Sequence, residues 1–233
     1  MIKKIMKRLL LLKNYRSNDT YISYLQNNGA KIGGGTYFYD YRNDPVDLTS
    51  LPFIEIGCNC RITAGVKILA HDYSYAVLRP LYHKMLRKTT TTVIGNNVFI
   101  GINSIIMPGC IIGDNVIVGS GSVVTGKIPS NVVVAGNPSR IVCTINEYYQ
   151  KNQKLYLEYA SLYYKRQSKY LERELNESEM GWYCSLWKSN NKKKILSQLR
   201  VDGDNQELCV QDQLAIIPQF DSFEEFVASL DKT

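Results

Sequence analysis

A mainly β solenoid, with helical segments before and after it, is the fold class this sequence predicts. Three observations predict it. Residues 94–129 repeat every six residues, each unit led by Ile or Val. The same rhythm runs through 56–72, ahead of an interruption. Both ends of the 233-residue chain lose the rhythm and take helical patterns.

The units are Ile94-Gly-Asn-Asn-Val-Phe, Ile100-Gly-Ile-Asn-Ser-Ile, Ile106-Met-Pro-Gly-Cys-Ile, Ile112-Gly-Asp-Asn-Val-Ile, Val118-Gly-Ser-Gly-Ser-Val and Val124-Thr-Gly-Lys-Ile-Pro. Side chains repeat every two residues in a strand and every 3.6 in a helix. Neither period yields an aliphatic lead followed by Gly every six. A chain that runs straight, bends and runs straight again does. Its leads point into one narrow interior, and each Gly sits where a Cβ would obstruct or where φ is positive. Stacked turns of this kind form a β-solenoid.

The charged and hydrophobic fractions, 21% and 45%, are those of an ordinary globular chain. The net charge of +7 is uneven: residues 1–16 hold six Lys/Arg and no acid, and residues 50–143 hold eight against three. That excess suits a phosphorylated co-substrate or an anionic acceptor, and equally a solvated basic face. The six cysteines (Cys58, Cys60, Cys110, Cys143, Cys184, Cys209) form no CxxC pair, so a reduced, cytoplasmic compartment is expected. The run Leu9–Leu12 is short of the ~20 apolar residues a bilayer span needs. It also lacks a small-residue cleavage site.

In chain order, residues 1–28 read as a basic helical arm with Ile2, Ile5, Met6, Leu9, Leu10, Tyr21, Ile22 and Leu25 on its apolar face. It either braces the solenoid or touches a membrane peripherally. Residues 29–143 form the solenoid. Gly33-Gly34-Gly35 are bend glycines, because no Lys-Ser/Thr and helix follow them as a phosphate loop requires. Residues 37–49 lose the register and read as an aromatic, polar rim. Residues 73–92 interrupt the coil and project as a loop. Residues 144–233 are a mostly helical extension: a tyrosine-rich helix over 144–175, an irregular polar stretch over 176–213, and a final helix opened by Asp221 or Ser222. The tyrosines suit packing on the solenoid flank more than stacking on sugar rings.

Ile56–Pro138 resembles the hexapeptide-repeat acyltransferases. Three stretches carry the likeness: Val66-Lys-Ile-Leu-Ala-His71-Asp72, Ile94-Gly-Asn-Asn-Val-Phe99-Ile-Gly101, and Gly119-Ser-Gly-Ser-Val-Val-Thr125 through Ala135-Gly136-Asn137-Pro138-Ser-Arg140. The resemblance implies a left-handed parallel β-helix, a three-sided solenoid whose hand departs from the usual crossover rule. It implies homotrimers with active sites between subunits, acetyl-CoA as co-substrate, and no metal. A nucleic-acid partner is not among the expectations. A zinc enzyme on the same solenoid, of the γ-carbonic-anhydrase kind, would use three histidines, and this chain has two.

The resemblance makes His71 the general base, since imidazole accepts a proton near neutral pH. Asp72 follows it, but neighbours on an extended chain point apart, so a different carboxylate or carbonyl is expected to orient the ring. Asp72, Tyr73, Arg79 and His83 are the candidate acceptor-binding residues, and Arg87 and Lys88 add charge to the same loop. For acetyl-CoA the likeness points to Phe99, Gly101, Ile102, Ser120, Thr125, Gly126 and Arg140. Arg140 has its own rationale, because a planar permanent cation suits phosphate. Three positions depart from the family pattern: Phe99 stands for the common Trp, Ile102 for Ser and Gly126 for Lys. The expected activity is an O-acetyl transfer to a hydroxyl of a sugar or of a surface or capsular polysaccharide unit. An antibiotic or serine acetyltransferase is the alternative within the fold. A non-catalytic scaffold is the alternative outside that class.

Overall fold

The computed structural model describes residues 15–199 and 204–230. The chain divides into two compact units, Met1–Tyr148 and Tyr149–Thr233. Ile2, Ile5, Met6, Leu9 and Leu10 of the expected apolar face lie outside the described residues. Among the described residues no helix is long and apolar enough to cross a membrane.

In the N-terminal unit, helix α1 (Asn18–Asn27) opens with a capping box between Ser17 and Thr20. Their hydroxyls satisfy N–H groups that the first turn leaves unpaired. Tyr21 and Leu25, four residues apart on one face, are fully buried with Phe38 in the solenoid core. Asn18 Oδ1 accepts the Phe38 N–H at 2.8 Å, which ties the helix to the first coil.

The strands follow as β1 (Lys31–Ile32), β2 (Tyr37–Phe38), β3 (Ile54–Ile56), β4 (Arg61–Ile62), β5 (Lys67–Ile68) and β6 (His71–Asp72). Helix α2 (Tyr75–Tyr82) and β7 (Lys88–Thr89) come next, then β8 (Thr92–Ile94), β9 (Val98–Ile100), β10 (Ile105–Ile106) and β11 (Ile111–Ile112). The coil ends with β12 (Val116–Val118), β13 (Val123–Val124), β14 (Lys127–Ile128), β15 (Val132–Gly136) and β16 (Ser139–Thr144). They build three parallel sheets: a first ordered β1-β3-β8-β11-β14, a second ordered β2-β4-β9-β12-β15, and a third ordered β5-β10-β13. Strand β16 closes the second sheet by antiparallel pairing with β15. Each turn of the coil gives one strand to each sheet. Ile94 pairs with Ile112, Ile100 with Val118 and Ile106 with Val124, so one coil takes eighteen residues, or three units of the repeat.

The leads Ile62, Ile68, Ile100, Ile106, Val118 and Val124 are fully buried. Two residues before each of the last four, Val98, Ser104, Val116 and Ser122 are buried as well, as the two-residue period of a strand requires. Each fully buried aliphatic side chain contributes about 1.5–3 kcal/mol relative to exposure. The last unit differs from the sequence reading. Ile128 pairs with Ile112 and takes the inward lead of the next coil, because the corner at Thr125–Gly126 is shortened.

The glycines in the second position of four of the six units, and Gly57 in the earlier coil, serve close approach. A Cβ on Gly57 would lie 2.6 Å from Gly95 O, and one on Gly95 would lie 2.7 Å from Gly113 C. Positive φ at the same corner falls instead on Asn97 (54°) and Asn115 (55°). Asn tolerates that region better than most side chains. The two also hydrogen-bond up the stack: Asn97 Nδ2 donates to Asn115 Oδ1 at 2.8 Å, and Asn115 Nδ2 to Asn131 Oδ1 at 2.9 Å.

Two expectations are corrected here. Residues 37–49 are not simply a rim: Tyr37–Phe38 is a strand in register with Arg61–Ile62, and Val46 bridges Ile68 in parallel. The insertions between those strands hide the register in the sequence. Residues 73–92 are an ordered excursion, with β6 and β7 as an antiparallel stem and α2 beyond it.

The C-terminal unit has its own core. Helix α3 (Ile145–Leu171) leads into a 3-10 run, Glu177–Leu186, broken at Gly181, then α4 (Lys192–Gln198), α5 (Gln206–Leu214) and α6 (Phe223–Ser229). The stretch expected to be irregular thus holds three helical pieces. Ser222 is the cap of α6, its hydroxyl accepting from Glu225 N. Trp187, Phe226, Met180, Cys184 and Leu196 are buried together with Ala160 and Tyr164 of α3. Tyr164 and Tyr156 therefore pack within this unit, the bulk of each ring filling its core.

Candidate active site

His71 stands where the coil leaves the third sheet. The backbone there is pinned on both sides: Leu69 N donates to Ile106 O at 3.0 Å, and Thr90 N to Ala70 O at 2.9 Å. Thr92 Oγ1 donates to Leu69 O at 2.6 Å. His71 thus sits on a stem rather than a free loop, and its side chain keeps 23% exposure.

Its partner is Asp47, whose carboxylate is only 4% exposed and meets His71 Nδ1 in a short hydrogen bond. Asp47 reaches this point because Val46 extends the third sheet beside Ile68, with Asp47 N donating to Ile68 O at 2.9 Å. The carboxylate also accepts Thr49 Oγ1 at 2.7 Å, Thr49 N at 3.0 Å and Ala70 N at 3.3 Å. Burial opposes its charge, but the hydrogen bonds from Thr49, His71 and Ala70 outweigh that and hold its carboxyl below the usual range. An ionised carboxylate only accepts, so Nδ1 carries a proton and Nε2 has the free lone pair. Nε2 is therefore the atom able to take a proton from an acceptor. Thr49 Oγ1, 3.2 Å from Nδ1, completes the cluster.

Asp47 escaped the sequence reading, which asked for a carboxylate or a carbonyl and named neither. Pro45-Val46-Asp47 has one aliphatic lead and no following Gly, so the repeat does not flag it.

The four acceptor candidates are spread along the excursion. Asp72 Oδ1 accepts Ser74 N at 3.0 Å and Ser74 Oγ at 2.6 Å, a turn that starts α2. Those two bonds from Ser74 hold the Asp72 carboxyl below its usual range. Tyr73 is exposed, its ring 4.8 Å from that of Tyr75. Arg79 is exposed within α2, and His83 ends the helix in a left-handed conformation (φ 52°) with its N–H on Arg79 O.

The acetyl-CoA candidates divide between two corners. Gly101 and Ile102 follow β9 at the corner between the second and third sheets, and Ser120 lies one coil on: Gly121 N donates to Ile102 O at 2.7 Å. A Cβ on Gly101 would meet Ser120 N at 2.6 Å. Phe99 faces outward on the strand that leads there. Thr125 and Gly126 lie instead at the corner between the third and first sheets, the corner that His71 leaves from. Gly126 has a positive φ and open space around it. Arg140 is exposed on β16, its Nη1 donating to Ser139 O at 2.9 Å. An exposed aromatic and aliphatic pair, a bare glycine corner and an exposed guanidinium suit a pantetheine arm and its phosphates.

A family model described as the bacterial transferase hexapeptide (six repeats) matches residues 91–126. Protein CapG of Staphylococcus aureus is 39% identical over 149 residues, which are 63% of this chain and 83% of that protein. WbbJ of Escherichia coli K12, provisionally named a lipopolysaccharide biosynthesis O-acetyl transferase, is 32% identical over 60% of this chain and 80% of its own. Galactoside O-acetyltransferase of the same strain is 35% identical over 58% of this chain and 64% of its own.

Proposed function

The chain belongs to the hexapeptide-repeat transferases, and on that premise we propose that it is an acetyl-CoA-dependent O-acetyltransferase acting on a sugar or surface-polysaccharide hydroxyl. The observation that carries the reading is the His71–Asp47 pair at the third corner of the coil. The names of its relatives support the acetyl group and the sugar class.

The acceptor hydroxyl oxygen attacks the thioester carbonyl as its proton passes to His71 Nε2. Asp47 stabilises the imidazolium that forms, through Nδ1–H. The tetrahedral intermediate collapses with cleavage of the C–S bond, and the imidazolium returns the proton to the departing thiolate. Ester and free CoA thiol result, and no covalent enzyme intermediate is needed. Backbone N–H groups at the coil corners are the available donors for the oxyanion.

The reading includes the left-handed course of the coil and a homotrimer. The trimer is supported by the division of the site: His71, Thr125 and Gly126 leave one corner, while Phe99, Ile102 and Ser120 surround another. A neighbouring copy would bring the second corner to the first. A cytoplasmic location is part of the same reading, because that is where acetyl-CoA would be supplied.

The test is thiol release from acetyl-CoA with mono- and oligosaccharides, serine and a drug panel as acceptors. Turnover is expected with sugars and is expected to fall by about 10³-fold or more in His71→Ala, as a lost base implies. Full turnover in that variant would sink the mechanism. Turnover with serine or a drug alone would move the acceptor class.

A further inference from the structure

The C-terminal unit holds a cavity of about 550 Å³ that the acetyl-transfer chemistry leaves unused. That volume lies within the ~300–1,000 Å³ of small-ligand sites. Tyr149, Gln153 and Tyr156 line it from one face of α3, at spacings of four and three residues. Gln213, Ile217 and Gln219 line it from the end of α5 and the segment that follows. We infer that this cavity is a binding subsite for uncharged hexopyranose units of a glycan chain.

The lining chemistry selects the ligand. Among the described residues none of the lining side chains is charged, although the chain carries net +7. A phosphate or carboxylate would find no counter-charge there, so the lining does not suit a second site for acetyl-CoA. A pyranose ring has apolar C–H faces and a rim of neighbouring hydroxyls. Tyr149, 57% exposed, and Ile217, 87% exposed, offer broad apolar surfaces for the faces. The carboxamides offer paired donors and acceptors for the rim. Tyr156 keeps its ring fixed by donating its hydroxyl to Trp182 O at 3.0 Å, and Leu186 is buried at the floor.

Gln213 supplies a second, independent observation. Its Oε1 is buried and has no hydrogen-bond partner. An unpaired buried acceptor is costly, and such groups are rare in folded proteins. Rotation of that carboxamide toward the cavity would let it accept a sugar hydroxyl.

A subsite here would hold a polymeric acceptor to the enzyme while one of its hydroxyls is acetylated, raising the local acceptor concentration. That place in catalysis rests on the sugar-acceptor reading, whereas the binding itself does not. The experiment titrates the full chain with a graded series of uncharged gluco- and galacto-oligosaccharides, by calorimetry and saturation-transfer NMR. Affinity is expected to rise with chain length and to persist in His71→Ala. Tyr149→Ala and Gln213→Met are each expected to weaken binding about tenfold, the loss of one stacking or hydrogen-bonding partner. Gln213→Met should also keep or raise the melting temperature, since it removes the unpaired oxygen. No sugar binding by the parent protein, or equal binding in both variants, overturns the subsite. Self-association that Tyr149→Ala abolishes overturns it in favour of a second copy of the chain. Pocket-dependent binding without any sugar acetylation would remove the acceptor reading and leave the subsite standing. Sugar acetylation with variant-independent binding would do the reverse.

Discussion

Replacing Asp47 by Asn changes one atom and removes one charge. The carboxylate accepts from two sides at once: Thr49 N and Oγ1 on Oδ1, Ala70 N and His71 Nδ1 on Oδ2. A carboxamide has one accepting atom. If its oxygen faces Thr49, its NH₂ confronts the Ala70 N–H and His71 Nδ1. The imidazole then relieves the clash by moving its proton to Nε2, the atom needed as base. If the amide flips, the Thr49 donors are stranded instead. Loss of one charge-assisted hydrogen bond costs about 1.5–3 kcal/mol, or about 10–150-fold in rate. The wrong tautomer adds to this, since the matching exchange in a serine-protease triad costs about 10⁴. Asp47→Asn should therefore lower kcat by about 10²–10⁴, with KM within about threefold because Asp47 acts through His71 and not on the acceptor. The assay is thiol release against acceptor concentration, for Asp47→Asn, His71→Ala and the double variant. The double variant should match His71→Ala within about threefold, because the two act as one unit. A kcat for Asp47→Asn within threefold of the parent, or a double variant far below His71→Ala, refutes the pairing.

Gly95→Ala should destabilise the N-terminal unit by about 1–3 kcal/mol in urea melts, because its Cβ would press on Gly113 of the next coil. A neutral result would mean that the stack is looser than the pairing of its strands implies. In native-state alkylation at pH 8, exposed Cys58 should react first. Buried Cys110 and Cys184, each pushed up to about 11 with burial the main cause, should react only after denaturation, as mass spectrometry of the labelled peptides will show. The Glu179 carboxyl is lowered to about 2, chiefly by Arg173 and then by the Asn176 N–H. A depressed carboxyl contributes stability that is complete above its unfolded value and disappears as pH falls through the folded one. The parent should therefore lose melting temperature faster than Glu179→Gln between pH 4.5 and 2. Because the pair is exposed, the difference should shrink in high salt. Parallel acid slopes in the two proteins would show that the pair contributes nothing to folding.

The solenoid was legible because its code is local. Each lead, such as Ile100 or Val118, faces the interior whatever the rest of the chain does, and Gly95 is glycine because the adjacent coil leaves no room for a Cβ. The candidate base was named through the family resemblance, and the repeat placed it, since His71 ends an in-register unit and abuts an interruption. The cap of α6 was local too: Ser222, one of the two candidates, with Glu225.

What stayed hidden was set by distance along the chain. Asp47 joins His71 only because Val46 pairs with Ile68 across an irregular coil, and no spacing rule spans such insertions. Ile128 shifted its place in the repeat because a corner was shortened, and strand pairing alone reveals that. The separate core of the C-terminal unit arises from side chains far apart in sequence, such as Tyr164, Trp187 and Phe226.

By itself, then, the sequence determined the coil and its interior, because short-range geometry dictates both, while the candidate proton acceptor came from a family resemblance. The tertiary structure alone decided which carboxylate holds the imidazole, which corner each candidate co-substrate residue occupies, and which uncharged side chains of the C-terminal helices line one cavity. Those are matters of which coil lies against which, and the pairing of distant backbone segments settles them.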